Sequence, residues 1–537
     1  MIASIPSAVL VGVDGKPVSV EVHVSNGLPG FTVVGLPDAA VRESRDRVRA
    51  ALLSSGLSWP LRRVTVNLAP SGMRKGGAGL DLPIAVGVLV ASEVIDPLLV
   101  DGLAFVGELG LDGSLRGVPG MVALADALNR HRLVVPAASA DEARLSGDVD
   151  LLTSNSLAGL VAGLAHREQW GLASRRSIEA HRAYGAHGGR RSDGAGTGYS
   201  GSMGGSETPG TTDLATVPDL ADVRGQSRAR RALEVAAAGG HHLLLVGPPG
   251  SGKSMLAARL PGLLPDLPPS LALEVTRIHS AAGLPLPSAG LMQHPPFRAP
   301  HHGASPVAMI GGGSSGMRPG GISLSHGGVL FLDEMGEFAA PVLDALRQPL
   351  EEGQVRVSRA RGSVTFPARF ILVGAMNPCP CGDGGPSGRC RCNPASRERY
   401  ARRLSGPLLD RFDMAVRVDR PEPEALMAPA SGEPSSLVAA RVAGARRRAA
   451  ERGVTANAHL SSSELDRLGP MSIEAASLVE RNLRSGDLSA RGFHGVQRLA
   501  RTLADLDEAG PVIQEAHVSE ALVLRTRREL LLGEEER

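Results

Sequence analysis

The stretch Leu243-Leu244-Leu245-Val246-Gly247-Pro248-Pro249-Gly250-Ser251-Gly252-Lys253-Ser254 decides the fold class of this chain. Its four leading apolar residues are too few for a buried helix and read as a strand covered on both faces, as in a parallel sheet. The residues after them fit the spacing G-x-x-x-x-G-K-[ST], a glycine-rich loop between a strand and a helix opening at Lys253. Glycine lets such a loop bend tightly and aim backbone N–H groups at phosphate oxygens, and the helix N-terminus adds a favourable dipole. In this reading Gly247, Pro248, Pro249, Gly250, Ser251 and Gly252 wrap the phosphates of ATP. Lys253 bridges the β- and γ-phosphates, and Ser254 ligates Mg²⁺. The bland alternative is a glycine turn before a helix, which motif and context together disfavour.

Downstream, Val329-Leu330-Phe331-Leu332-Asp333-Glu334 places two carboxylates at the end of a second apolar strand, the edge where open α/β sheets bind ligands. A strand ending in Asp-Glu is by itself a structural cap. Beside a phosphate loop, Asp333 suits Mg²⁺ coordination and Glu334 suits the base that orients an attacking water. A third apolar run, residues 370–375, leads to Met376-Asn377. The Asn377 amide could hydrogen-bond a γ-phosphate or the lytic water, or form the turn before Pro378. Next, Ser405-Gly406-Pro407-Leu408-Leu409-Asp410-Arg411-Phe412-Asp413 sets one arginine between acids. Arg411 is either a transition-state arginine supplied to a neighbouring subunit or a surface ion pair.

With 537 residues the chain is several times a typical domain. Hydrophobic residues at 42% and charged residues at 21% exclude a wholly disordered chain. Aromatics at 3% disfavour stacking platforms for single strands. The balance of 57 Lys+Arg against 55 Asp+Glu gives +2, so any nucleic-acid binding is local rather than bulk electrostatic. Lysine occurs only at Lys16, Lys75 and Lys253. No basic n-region precedes Lys16, and the apolar stretch near residue 82 is broken by Asp81 and Glu93, short of the ~20 residues a membrane span needs. The expectation is a soluble, cytoplasmic protein. Residues 1–170 alternate Val/Ile/Leu runs (18–24, 31–34, 64–68, 133–135) with helical patterns (39–53, 82–92), a compact α/β or α+β unit. Residues 171–213 read as a flexible Gly/Ser/Arg-rich linker, 214–425 as an α/β unit on a mainly parallel sheet, and 436–537 as a small all-helical domain.

All four cysteines, Cys379, Cys381, Cys390 and Cys392, lie in one segment, which argues against a disulfide scaffold and for a reducing compartment. Their C-x-C pairs could give Zn²⁺ four thiolates, with the glycines between them folding round the metal. No position would be left for water, so the site would be structural. A reduced thiol cluster or two disulfides are the alternatives. Gln354-Val355-Arg356-Val357-Ser358-Arg359-Ala360-Arg361 alternates as a β-hairpin arm would, and arginines on one face could track phosphates or simply be a solvated face. The Arg298, His301 and His302 loop is a second candidate for nucleic acid, although paired histidines near a turn are more often structural.

The order of phosphate loop, acidic strand end, Asn377 and Leu-Leu-Asp-Arg-Phe-Asp resembles the AAA+ ATPases, in the branch that holds magnesium chelatase and the minichromosome-maintenance helicases. Longer runs, Pro296-Phe297-Arg298-Ala299-Pro300-His301-His302, Arg318-Pro319-Gly320-Gly321-Ile322-Ser323-Leu324-Ser325-His326, Leu346-Arg347-Gln348-Pro349-Leu350-Glu351 and Asn377-Pro378-Cys379-Pro380-Cys381-Gly382, resemble the magnesium chelatase-like ComM (YifB) family. Gly321 stands where that pattern leads one to expect Glu, just before the acidic strand. The resemblance implies an AAA+ P-loop core with an all-helical C-terminal lid, with Asn377 as sensor 1, Arg411 as the trans-acting arginine finger and Arg491 as the sensor 2 arginine, Arg498 being the fallback. It further implies a ring, a hexamer by family expectation, and a helicase that migrates DNA branches in recombination and natural transformation, acting on single-stranded or branched DNA without sequence preference. A motor that remodels a protein partner is the alternative. The runs Lys75-Gly76-Gly77-Ala78-Gly79-Leu80-Asp81-Leu82-Pro83 and Gly107-Glu108-Leu109-Gly110-Leu111-Asp112-Gly113-Ser114-Leu115-Arg116 resemble the Lon-protease-like domain of the ribosomal S5 fold. That family's Ser-Lys dyad needs a lysine to activate the serine. Residues 118–127 contain no lysine and residues 75–84 no serine, so the domain is expected to serve assembly or DNA contact without proteolysis.

Overall fold

The apolar runs around the phosphate loop become the middle of a five-stranded sheet, ordered Phe297–Arg298, Val329–Leu332, Ile371–Met376, Leu243–Val246, Met414–Arg417, with every neighbouring pair parallel. Each residue of Leu243–Val246, Val329–Leu332 and Ile371–Met376 is buried, as a sheet covered on both faces requires. Alternation divides them. Leu243, Leu245, Val329, Phe331, Val373 and Ala375 pack with the helix Ser227–Gly239 and the C-terminal helices, while Leu244, Val246, Leu330, Leu332 and Leu372 join the core on the opposite face. The computed structural model describes residues 2–166, 170, 217–287, 290–313, 317–359, 362–383, 390–427 and 432–525. The expected linker over 171–213 lies outside the described residues.

The N-terminal region carries a four-stranded sheet ordered Ile2–Val11, Asp14–Ser25, Arg63–Ala69, Gly30–Val34, the last pair parallel and the others antiparallel. Helices Ala39–Ser54 and Asp81–Ala91 accompany it. Every residue of the second helix is buried, including Asp81, whose carboxylate accepts hydrogen bonds of 2.7 and 3.0 Å from Arg47. Burial still raises the Asp81 pKa to about 6. Leu103–Phe105, Arg132–Pro136 and Leu151–Ser154 form a second, parallel sheet. This region seats on the central one through the helix Pro269–Ala282. Arg277 meets Asp126 at 2.8 Å, the Ser280 hydroxyl donates to Glu142 at 2.5 Å, and the Ser280 carbonyl accepts the Gly120 N–H at 2.9 Å.

The C-terminal region is helical among its described residues, with Ser435–Glu451, Ser462–Leu468, Ile473–Ser485, Ala490–Leu506 and Glu515–Leu524. Ser461, Ser472 and Ser489 each accept a backbone N–H three residues on, fixing where three of these helices begin. The core of this region includes a buried polar network. Asp505 accepts from Arg501 at 3.0 Å, Arg452 at 2.5 Å and Asn457 at 2.8 Å, and the Asp505 and Arg501 side chains are both 1% exposed. A buried charge left without its partner is far costlier than the intact pair is favourable. Asp505→Ala is therefore expected to lower stability by about 3–5 kcal/mol. Glu464→Ala, at an exposed capping box, should cost about 1 kcal/mol or less. The two denaturation midpoints check this ordering, and equal shifts would remove the network from the account.

Candidate functional site

The strand Ile371–Met376 lies between Leu243–Val246 and Val329–Leu332, so the phosphate loop and the acidic pair leave the sheet two interstrand spacings apart, about 9–10 Å. Side chains close that gap. Gly250 and Gly252 adopt φ of 75° and 97°, a conformation glycine takes without strain, and Gly252 hands the chain to the helix Lys253–Ala257. Lys253 is buried, and its Nζ donates to the carbonyls of Gly247 at 2.7 Å and Pro248 at 2.9 Å and to Asn377 Oδ1 at 3.3 Å. Burial lowers the Lys253 pKa, while the charges of Asp333 and Glu334 pull it back up. The Ser254 hydroxyl donates to Asp333 Oδ2 at 2.6 Å, and Asp333 Oδ1 accepts the Glu334 N–H at 2.9 Å. Lys253, Ser254, Asp333, Glu334 and Asn377 thus converge at one sheet edge. Glu334 itself sits at φ 49°, ψ 45°, a left-handed conformation costing a non-glycine residue about 1–3 kcal/mol and met most often at functional sites.

Asn377 leads directly into the cysteines. The Sγ atoms of Cys379 and Cys381 lie 3.3 Å apart, Cys390 is 3.6 and 3.7 Å from them, and all four sulfurs fall within 4.8 Å of one another. A tetrahedral metal with bonds of about 2.3 Å separates its sulfurs by about 3.8 Å, whereas a disulfide needs about 2.05 Å. The four cysteines are free thiols grouped at a spacing that fits a metal. The backbone N–H of Asp383 holds the Cys381 thiol down at about 6, and burial pushes Cys379 up to about 12. The next turn touches the phosphate loop. Gly382 passes so close to the Pro249 ring that a β-carbon there would lie 2.7 Å from it, and Arg420 reaches both the Pro249 carbonyl at 3.4 Å and Asp383 at 3.8 Å. Of the glycines expected to fold this segment, Gly382, Gly384, Gly385 and Gly388, the last three lie outside the described residues.

Arg411 follows the short helix Gly406–Leu409 and forms an ion pair with Glu351 of the helix Arg347–Glu352 in its own chain. Asp413 accepts the His242 N–H at 3.0 Å, just ahead of the phosphate-loop strand, and lies 3.5 Å from His241 Nδ1. Arg491 lies in the first turn of Ala490–Leu506, its side chain outside the described residues. Arg498 donates to the Leu460 carbonyl at 2.7 Å within the helical region. The predicted hairpin is present as Gln354–Arg359 paired with Gly362–Pro367. Its arginines do not share a face. Arg356 alternates with buried Val355 and Val357, whereas Arg359 stands two residues beyond Val357 on the other face, and both are exposed. Arg361 is outside the described residues. In the loop after Phe297–Arg298, His301 Nδ1 accepts the Gly303 N–H at 3.1 Å, and His302 Nδ1 lies 3.3 Å from Glu334 Oε2. In the N-terminal region Lys75 is fully buried, and its Nζ donates to the Pro70 carbonyl.

Two features go beyond the sequence expectations. One is the His302 contact. The other is a cavity of about 610 Å³ between Ser227–Gly239 and Ser435–Glu451, lined by Val223, Gln226, Arg230, Glu234, Gly432 and Val438 among others. It adjoins the phosphate loop, because Gln226, itself at φ 55°, donates from Nε2 to the Ser251 carbonyl at 3.3 Å. A Gly-Gln pair opening the helix upstream of the phosphate-loop strand is the sequence signal that could have found it.

Residues 219–426 match the description Magnesium chelatase, subunit ChlI; residues 20–139 match Subunit ChlI of Mg-chelatase; and residues 432–525 match Magnesium chelatase, subunit ChlI C-terminal. The chain is 42% identical to the uncharacterized protein YifB of Escherichia coli, covering 97% of this chain and 96% of that protein. It is 40% identical to competence protein ComM of Haemophilus influenzae, covering 99% and 98%. A shorter match, 30% identical over 35% of this chain and 24% of the relative, is to the probable DNA helicase MCM9 of Arabidopsis thaliana. No helix among the described residues is long and apolar enough to cross a membrane. With a phosphate loop on a parallel sheet and near full-length identity to these relatives, the chain belongs to the ComM/YifB family of magnesium chelatase-like AAA+ proteins.

Proposed function

We propose that the protein is a ring-forming ATPase that drives DNA branch migration. The observation that carries the ATPase reading is the meeting of Lys253 with Asn377 and of Ser254 with Asp333 across the inserted strand. Lys253 already holds its ammonium against the Gly247 and Pro248 carbonyls, partners it would exchange for β- and γ-phosphate oxygens. Ser254 and Asp333 fit Mg²⁺, an oxygen-ligand ion that neutralises charge on transferring phosphates when bound. Glu334 takes the proton of the attacking water, Asn377 orients that water or the γ-phosphate, and the cavity beside Gln226 takes the nucleoside. Arg411 acts on the nucleotide of the neighbouring copy, with Arg491 completing the site from the helical region as a lid. Lys253→Ala is expected to weaken nucleotide binding, and Glu334→Gln to leave ATP bound but unhydrolysed. Normal turnover by the Glu334 variant would remove the base assignment. Arg411→Ala should be inactive alone and partly rescued by mixing with Lys253→Ala subunits, and no rescue at any ratio would count against a finger acting in trans.

DNA as the partner is supported by the name of the relative ComM, by the shorter match to a protein named as a probable helicase, and by the exposed arginines Arg356 and Arg359. Phosphate contacts are salt-dependent and sequence-independent. ATP turnover should rise with single-stranded or four-way DNA, and replacing both arginines by alanine should reduce that stimulation and flatten its salt dependence by about one unit per lost contact. Stimulation by a protein partner alone would favour the remodelling alternative. A ring is the assembly this reading requires, and a hexamer is the family expectation. The buried, bonded Lys75 supports a non-proteolytic role for the N-terminal domain, which the resemblance places among Lon-like domains.

Cys379, Cys381, Cys390 and Cys392 fit a structural zinc, which would tie Asn377 and the Gly382 turn against Pro249. The native protein is expected to contain stoichiometric zinc, and Cys379→Ser to lower both metal content and thermal midpoint. Four thiols titrating freely in the folded, metal-free protein would overturn the site.

A further inference from the structure

We infer that Thr502 and His241 are positioning residues for Arg411, so that the helical region of each copy governs the arginine this copy offers to its neighbour. The inference rests on reading Arg411 as a residue that acts in trans. An arginine brought to transferring phosphates is worth about 10³–10⁵ in turnover, and misplacement by about 1 Å costs up to about 10²-fold, so whatever fixes its backbone bears on the rate. Thr502 is fully buried on the helix Ala490–Leu506, and its Oγ1 lies 2.8 Å from Nε2 of the equally buried His241. The Thr502 hydroxyl donates to the Arg498 carbonyl at 3.1 Å, which leaves its oxygen to accept from the imidazole. That oxygen also accepts from Asn457 Nδ2 at 3.2 Å, and Asn457 donates at 2.8 Å to Asp505 in the ion network of the helical region. A satisfied buried network of this kind rigidifies what it holds.

The dipeptide His241-His242 carries that anchorage toward Arg411. Leu243 pairs with Met414, so His242 and Asp413, one residue earlier on each strand, stand side by side. The His242 N–H donates to the Asp413 carboxylate at 3.0 Å, and the His242 carbonyl accepts the N–H groups of Asp413 and Met414, both at 3.1 Å. On its other side His242 Nδ1 accepts the Leu372 N–H at 3.1 Å, which ties the dipeptide to the middle strand of the sheet. Arg411 stands two residues before Asp413. Its N–H donates to the Leu408 carbonyl at 3.0 Å and the next residue, Phe412, is buried, so the turn has little slack between the strand and the arginine. The meeting of Thr502 and His241 also depends on the helix end beside it. Gly239 passes so close that a β-carbon there would lie 2.3 Å from His241 Nε2 and 2.5 Å from Thr502 Oγ1, so only glycine leaves room for the contact.

The test is ATP turnover by co-assembled subunits of the full chain. Thr502→Val keeps the shape of the side chain and removes its hydroxyl. Alone, it is expected to bind ATP within about twofold of wild type and to turn over about tenfold more slowly. Its own nucleotide site is intact and its Arg411 misplaced, so Lys253→Ala subunits should restore turnover by supplying well-placed arginines, whereas Arg411→Ala subunits should restore none. Restoration by Arg411→Ala and not by Lys253→Ala would put the defect in the variant's own nucleotide site and overturn the assignment. Wild-type turnover by Thr502→Val alone, or restoration by both partners, would overturn it too. Thr502→Ser, which retains the hydroxyl, should turn over as wild type, and a folded serine variant as slow as the valine one would contradict the role. Should Thr502→Val fail to fold, His241→Asn, whose amide stops short of Thr502, takes its place in the same mixtures. The control is Arg411→Ala mixed with Lys253→Ala. No restoration there sinks the trans reading and the inference with it, while restoration there and none for Thr502→Val with Lys253→Ala sinks the positioning role alone.

Discussion

The insertion of Ile371–Met376 between the phosphate-loop strand and the acidic strand sets the geometry on which the rest of the site depends. One interstrand spacing, about 4.8 Å, would press Asp333 against the loop, and three would put it out of reach. Two spacings leave a cleft that a serine hydroxyl and a carboxylate close directly, at 2.6 Å, with Asn377 rising from the middle strand to meet Lys253. Because the middle strand is buried at all six positions, its place is enforced by apolar packing on both faces. A polar residue on it would disturb the core and the cleft width together.

Lysine usage follows the same logic. Two of the three lysines, Lys75 and Lys253, are buried, and each spends its ammonium on backbone carbonyls. A compact ammonium fits among converging carbonyls, whereas a planar guanidinium demands a wider, forked acceptor. Arginine does the bridging work between segments. Arg231 links the helix Ser227–Gly239 to Glu520 and Asp507 of the helical region, and Arg420 links the phosphate loop to the cysteine turn.

The strands Leu243–Val246 and Val329–Leu332 were legible to the residue because unbroken apolar runs end at glycine or acid, and both ends are chemical. The strand Ile2–Val11 was not, because Ser4, Pro6 and Ser7 interrupt its apolar pattern; Ser7 is nevertheless buried and satisfied by the Phe105 carbonyl at 2.7 Å. Alternation foretold the hairpin but not which way its arginines point, since one extra residue between Arg356 and Arg359 reverses the face. The helix Ala490–Leu506 begins earlier than its apolar pattern at Val496, because Ser489 caps it where periodicity is silent. The contacts of His302, singled out only with Arg298 and His301 as a nucleic-acid candidate, and of Gln226 were not legible for a different reason. Each gains its meaning from a contact made across the fold, with a partner 32 residues on for His302 and 25 for Gln226.

The phosphate loop is enclosed by a single continuous segment. Asn377 touches Lys253 from the sheet side, the chain passes through Cys379 and Cys381, and Gly382 then presses on Pro249 from without. A segment fastened at both ends to the same loop cannot shift at one end alone if its middle is rigid, and four sulfurs on one metal would make it rigid. Without that fastening, Cys379 and Cys381 are two thiols on a turn, and the distance from Asn377 to Pro249 is free to vary with solvent and temperature. The cysteine cluster therefore lies on a segment that meets the phosphate loop at both ends, through Asn377 on Lys253 and Gly382 on Pro249.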